Sequence, residues 1–179
     1  MNFAWPGRQA LGGFRPWPVK SHWIVAGLML AGVTAATAAP SCSVSAVGGV
    51  AFGAIDILSG SAVDVIGGSI QVNCSGADGA VPYTIALDAG AGPGASASVR
   101  KMQLAGDPSS TLAYSLYRSP GDRSGDTAWG TSGSALSSSL TIQGGSGANS
   151  SPVYGRVFSG QRTARAGGYS DVIDIAVAY

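Results

Sequence analysis

Residues 39–179 are predicted to form one all-β domain, a sandwich or barrel, and three observations predict it. Short segments alternate apolar and polar residues with a period of two, the signature of strands with one buried face. Stretches rich in Gly, Ser and Ala separate them, among them Ser59-Gly60-Ser61, Ala89 to Gly94, Ser132-Gly133-Ser134 and Gly144 to Gly147. Nothing in this part of the chain reads as a long helix. Short alternating strands between turn-rich loops favour a sandwich or barrel. An exported β-helix is the competing architecture, but the sequence shows no fixed repeat.

The chain has 179 residues, and its first part reads as a leader. Lys20, Ser21 and His22 precede an apolar run from Trp23 to Val33, and small residues follow from Thr34 to Ala39. A positive, apolar, small-residue order is that of a secretory signal. The apolar run is shorter than the roughly 20 residues of a spanning helix, so a membrane anchor is the weaker reading. Ala36-Thr37-Ala38 fits an A-x-A-like site, which puts the expected leader at residues 1–38 and the domain at 39–179. Arg8, Arg15 and the prolines around them lengthen the n-region and leave a later start codon open.

Beyond the leader, the strand candidates run in order. They are Cys42 to Phe52, Ser69 to Cys74, Pro82 to Leu87, Lys101 to Leu104, Leu112 to Tyr117, Leu140 to Ile142, Val153 to Val157, and Gly168 to Tyr179. Ile70, Val72 and Cys74 share a face, as do Tyr83, Ile85 and Leu87, and Leu112, Tyr114 and Leu116. In the last segment Ile173, Ile175, Val177 and Tyr179 fall on one face, with Asp174, Ala176 and Ala178 on the other. Pattern alone allows two readings of it. It is the final strand of a closed sandwich, or an edge whose neighbour comes from another molecule.

The two cysteines, Cys42 and Cys74, both lie past the leader. An even pair in an exported chain reads as a disulfide, here tying the first strand to the one near residues 69–74. Free thiols or a metal pair are the competing readings. The domain carries seven basic groups, nine Asp, no Glu and no His, a formal charge of −2. Without a basic block, nothing attracts a nucleic acid.

That composition excludes His-based triads, His metal sites and HExxH. Gly144-Gly145-Ser146-Gly147-Ala148 fails the GxSxG pattern at its last position. Asp122 to Asp126 lacks the ligands of a calcium loop and reads as a solvated turn. A carboxylate pair drawn from Asp56, Asp64, Asp88, Asp171 and Asp174 is the weaker, catalytic reading, since Asp near strands and turns usually serves surface solvation. No catalytic residue, cofactor or metal ligand is expected.

Several pieces resemble one family in order and spacing. They are Cys42 followed by Phe52-Gly53; Ile70 to Cys74; Tyr83 to Leu87; Arg100-Lys101-Met102; Leu112 to Tyr117; Trp129-Gly130; Tyr154 to Val157 before Gly160-Gln161; and Gly167 to Asp171 with the alternating tail. Together they resemble the spore coat protein U domain family, subunits of archaic chaperone–usher pili of the Csu type. The resemblance implies an incomplete immunoglobulin-like β-sandwich lacking its final strand. It implies export through the inner membrane to the periplasm, then the cell surface. Partners would be a periplasmic pilus chaperone, an outer-membrane usher and neighbouring pilin subunits. By the same resemblance Ile173, Ile175, Val177 and Tyr179 line the groove that accepts the missing strand.

The chain departs from the family in one respect. Rod subunits carry an alternating apolar donor extension ahead of the first cysteine. Here Ala39-Pro40-Ser41 alone separates the expected cleavage point from Cys42, a reach of roughly 10 Å at about 3.3 Å per residue. Either cleavage falls far upstream, which the signal pattern opposes, or the subunit accepts a strand without donating one, at a terminal position or as a non-polymerising relative. The alternative function is a secreted or periplasmic sandwich that binds a carbohydrate or surface ligand, with Trp129, Tyr117 and Tyr154 as candidate aromatics.

Overall fold

The structure, a computed structural model, describes residues 39–131 and 133–179. The expected leader and its cleavage site lie outside the described residues. The rest is almost entirely β: β1 (Ser41–Val47), β2 (Val63–Ser75), β3 (Gly79–Leu87), β4 (Arg100–Leu104), β5 (Asp107–Tyr117), a short α1 (Pro120–Ser124), β6 (Leu136–Ile142), β7 (Ser146–Val157), β8 (Tyr169–Ser170) and β9 (Ile175–Ala178). Six strands form one sheet in the order β1-β2-β7-β5-β4-β8, and three form the other in the order β6-β3-β9. The described pairings are antiparallel throughout.

The period-two pattern explains which faces meet. Ile70, Val72 and Cys74 of β2, Leu112, Tyr114 and Leu116 of β5, and Val153 and Val157 of β7 are buried on the inner face of the larger sheet. Val81, Tyr83, Ile85 and Leu87 of β3, with Leu140 and Ile142 of β6, are buried on the smaller one. These residues form a single apolar cluster between the sheets. Removing that much apolar surface from water supplies the main driving force for folding, about 25 cal/mol per Å².

Two side chains close the flank between the sheets. The Trp129 backbone N–H donates to the Leu116 carbonyl at 2.7 Å, and its indole N–H donates to the Ile85 carbonyl at 2.9 Å. Arg100, wholly buried, spreads its guanidinium over the carbonyls of Asp88, Ala97, Leu87 and Trp129. Buried carbonyls that would otherwise be orphaned are satisfied by its fixed fork of donors. Burial lowers the Arg100 pKa, opposed by Tyr114, Asp88 and Asp171 nearby.

The structure revises three sequence expectations. The strand expected from Cys42 to Phe52 stops at Val47, and residues 48–58 cross the inner face outside any strand. The tail expected as one strand is two short ones, because the chain leaves the larger sheet after Ser170 and joins the smaller at Ile175. The turn expected at Asp122 to Asp126 is largely α1, capped by Ser119 and begun by Pro120, both favoured there. Asp122 pairs with Arg118 at 3.1 Å, and Asp126 accepts from the Tyr117 hydroxyl at 2.7 Å.

Candidate functional site: an open cleft beside the last strand

A cavity of about 330 Å³ opens between the segment after β1 and the tail of the chain. Val50 and Phe52 form one wall, Ile173 and Ile175 the other, and Ile70 and Leu116 belong to the floor. β9 pairs with β3 along one edge, Leu87 opposite Ile175 and Ile85 opposite Val177. Its other edge has no partner among the described strands. An unpaired edge over a bared apolar floor is a place where another strand can add.

The first wall is set by glycines. A Cβ at Gly155 would lie 2.7 Å from Val50 Cγ1 and 2.8 Å from Phe52 Cε1. One at Gly67 would lie 2.5 Å from Val50 Cγ2. Strand glycines of this kind mark the close approach of another chain segment. Here they let Val50 and Phe52 sink onto the larger sheet, where Phe52 packs edge-on against Tyr114 at 5.8 Å between ring centres.

The second wall is the crossover from β8 to β9. Ile173, Ile175 and Val177 are half-buried while Val172, Asp174 and Ala176 are exposed, so the alternation read from sequence holds through the break in pairing. Among the described residues Asp171 is the one charged residue lining the cleft, and its carboxylate accepts from the Tyr114 hydroxyl at 2.9 Å. Burial, reinforced by that carboxylate, pushes the Tyr114 pKa far above its ordinary value of 10.

The Spore Coat Protein U domain model matches residues 28–176 of the sequence. The chain belongs to the Spore Coat Protein U domain family. The match opens inside the stretch read from sequence as leader and runs almost to the end of β9. A search of curated proteins found no matching sequence. Among solved structures this Spore Coat Protein U domain is similar to a chain in the crystal structure of the CsuC–CsuE chaperone–tip adhesion subunit pre-assembly complex from archaic chaperone–usher Csu pili of Acinetobacter baumannii. The TM-score is 0.51 and the identity 17%, over 79% of this chain and 40% of that one. The likeness is one of fold, and this chain spans well under half of the other.

The residues singled out from sequence fall as follows. Cys42 and Cys74 are disulfide-bonded and directly opposed across β1 and β2. Ile173 and Ile175 stand in the cleft wall. Val177 packs on the core farther along β9, and Tyr179, past the end of β9, is 58% exposed. Of the candidate ligand-stacking aromatics, Trp129 and Tyr117 are wholly buried. Tyr154 is half-buried, with the Arg123 guanidinium 5.8 Å from its ring centre. Burial leaves Trp129 and Tyr117 no face for a sugar. Sequence reasoning did not assign Val50, Phe52, Asp88 or Asp171 to the site. For the first two a signal was present in Gly155, a glycine inside the strand expected from Val153 to Val157, whereas Gly67 lay ahead of the strand expected from Ser69.

Proposed function

We propose that this chain is a structural subunit of a surface pilus, held by a periplasmic chaperone and then built into a fibre at an outer-membrane usher by strand addition. The cleft beside the free edge of β9 carries the reading, and family membership and the fold likeness to a Csu-pilus complex support it. A strand laid against β9 would gain main-chain hydrogen bonds, and its alternate apolar side chains would fill the space between Ile173, Ile175, Val50 and Phe52. Such an edge left bare invites aggregation.

The test is expression with the native leader in a periplasm, alone and with the chaperone of the same gene cluster. A soluble one-to-one complex, with aggregation or degradation of the subunit alone, supports the proposal. A stable monomer indifferent to the chaperone would overturn it.

A cut at the expected site near Ala38 would leave a tail too short to donate, and on that expectation the subunit accepts a strand without donating one, at a fibre terminus or outside polymerisation. N-terminal sequencing of the exported protein decides this. A mature terminus more than ten residues ahead of Cys42 would restore a donor.

A further inference from the structure

The cleft wall that carries Ile173 lies in neither sheet, since β8 ends at Ser170 and β9 begins at Ile175. Two aspartates replace the missing ladder. Asp88 Oδ1 accepts from the Asp174 amide at 3.0 Å and from the Gly90 amide at 3.0 Å. The Asp88 amide donates back to the Asp174 carbonyl at 3.2 Å. Asp171 Oδ1 accepts from the Ala91 and Val172 amides, each at 2.9 Å, and Oδ2 accepts from Tyr114. The turn at residues 88–91 and the crossover at 171–174 thus grip each other reciprocally.

The grip is braced from behind and closely fitted. Arg100 Nε donates to the Asp88 carbonyl at 2.9 Å, tying the turn to β4. Gly90 has φ of +77°, and a Cβ there would overlap the Asp171 carboxylate. A residue other than glycine would have to leave its preferred dihedrals and displace the acid.

We propose that Asp88 and Asp171 are positioning residues for strand uptake, holding residues 171–174 extended so that Ile173 and Ile175 face the cleft before a partner strand arrives. The inference rests on the strand-acceptor reading above. A wall set in advance spares the incoming strand the cost of ordering it. If only a tenth of molecules held the competent wall, apparent affinity would fall about tenfold, and the loss would sit in association.

The experiment uses the purified subunit–chaperone complex, unfolded in urea with the disulfide intact and returned to buffer with excess chaperone. Size exclusion at timed intervals gives the capture rate, and thermal melting of the recovered complex gives its stability. A wild-type subunit that is stable alone and forms no complex with the chaperone to begin with would sink the strand-acceptor reading itself. With wild type captured, Asp171→Ala and Asp88→Ala are expected to slow capture about tenfold while the recovered complexes melt near wild type. Asp171→Asn, which keeps an acceptor for the Ala91 and Val172 amides, is expected to restore most of the rate. Tyr114→Phe, which removes the Oδ2 contact alone, should fall between. Wild-type rates in both alanine variants would overturn the inference. So would a rate loss matched by an equal loss of stability in the complex. Should the alanine variants fail to fold, a wild-type rate in Tyr114→Phe, which loses its contact to Asp171 outright, would also overturn it.

Discussion

Arg100 donates from Nη2 to the backbone carbonyl of Trp129 at 2.7 Å, joining β4 to the loop that closes the sandwich. The same guanidinium serves three more carbonyls, all by main-chain acceptance and none by a carboxylate. Arg100→Ala therefore orphans several buried acceptors at once and is expected to cost about 3–5 kcal/mol. Arg100→Lys, with no planar fork, should recover only part of this. Urea midpoints of the two variants check it. A lysine variant equal to wild type would show that charge, not fork geometry, holds the flank.

Gly155→Val should displace Val50 and Phe52 from the larger sheet, since its side chain would occupy their seats. Overpacking of this kind costs about 1–3 kcal/mol. The visible effect is local. Residues 48–58 should become sensitive to limited proteolysis, while the Cys42–Cys74 bridge and β-sheet circular dichroism persist. An unchanged digestion pattern would mean the wall is held by something other than the glycine trough.

Acid and alkali should destabilise the domain through different groups. The hydrogen bond from Arg156, with its charge and that of Arg123, holds Asp64 below its ordinary value of 3.8 against the opposing effect of burial. The folded state then binds fewer protons than the unfolded one, so this stability is present above about pH 3.8 and is lost as pH falls through the folded value. Asp64→Asn should flatten the fall in urea midpoint between pH 5 and pH 2. At the other end, burial first and the Asp126 hydrogen bond second push Tyr117 up to about 12. Unfolded tyrosine ionises near pH 10, so stability is full below that and declines from pH 10 towards 12. Well below pH 12, tyrosinate absorbance from Tyr114 and Tyr117 should therefore appear only with unfolding. Its appearance in a still-folded protein would contradict the burial of these rings.

Trp129 is wholly buried and committed to Ile85 and Leu116. Its fluorescence in the exported protein should be blue-shifted, move to the red on unfolding, and stay unchanged on titration with mono- or oligosaccharides. Quenching by a sugar would revive the carbohydrate-binding alternative.

Most strands were legible because one face of each is buried, which forces a period of two onto sequences such as Tyr83 to Leu87 and Leu112 to Tyr117. The disulfide was legible because the sequence holds two cysteines, which admit one pairing. The cleft was half legible. Ile173 and Ile175 announced themselves by alternation, but the break between β8 and β9 depends on Asp171 and Asp88 bonding across 80 or more residues, which no local pattern carries. Val50 and Phe52 read as a continuation of the first strand, because an apolar alternation looks the same whether it pairs with a neighbour or rests on glycines. The structural role of Arg100 was not legible, since its partners are backbone carbonyls and leave no mark in sequence.

The bridge between Cys42 and Cys74 sets where a pulling force enters the fold. Tension applied ahead of Cys42 passes through the sulfur atoms into β2, which is hydrogen-bonded on both sides, and β1 is never asked to unzip. The loop it closes, with a sequence separation of 32, is withheld from extension. At about 3.3–3.6 Å per residue, that is roughly 100 Å of chain kept out of reach of mechanical stress. Single-molecule stretching with and without reductant should differ by that contour length, so in an oxidising medium the domain behaves as a short tether and in a reducing one as a long one.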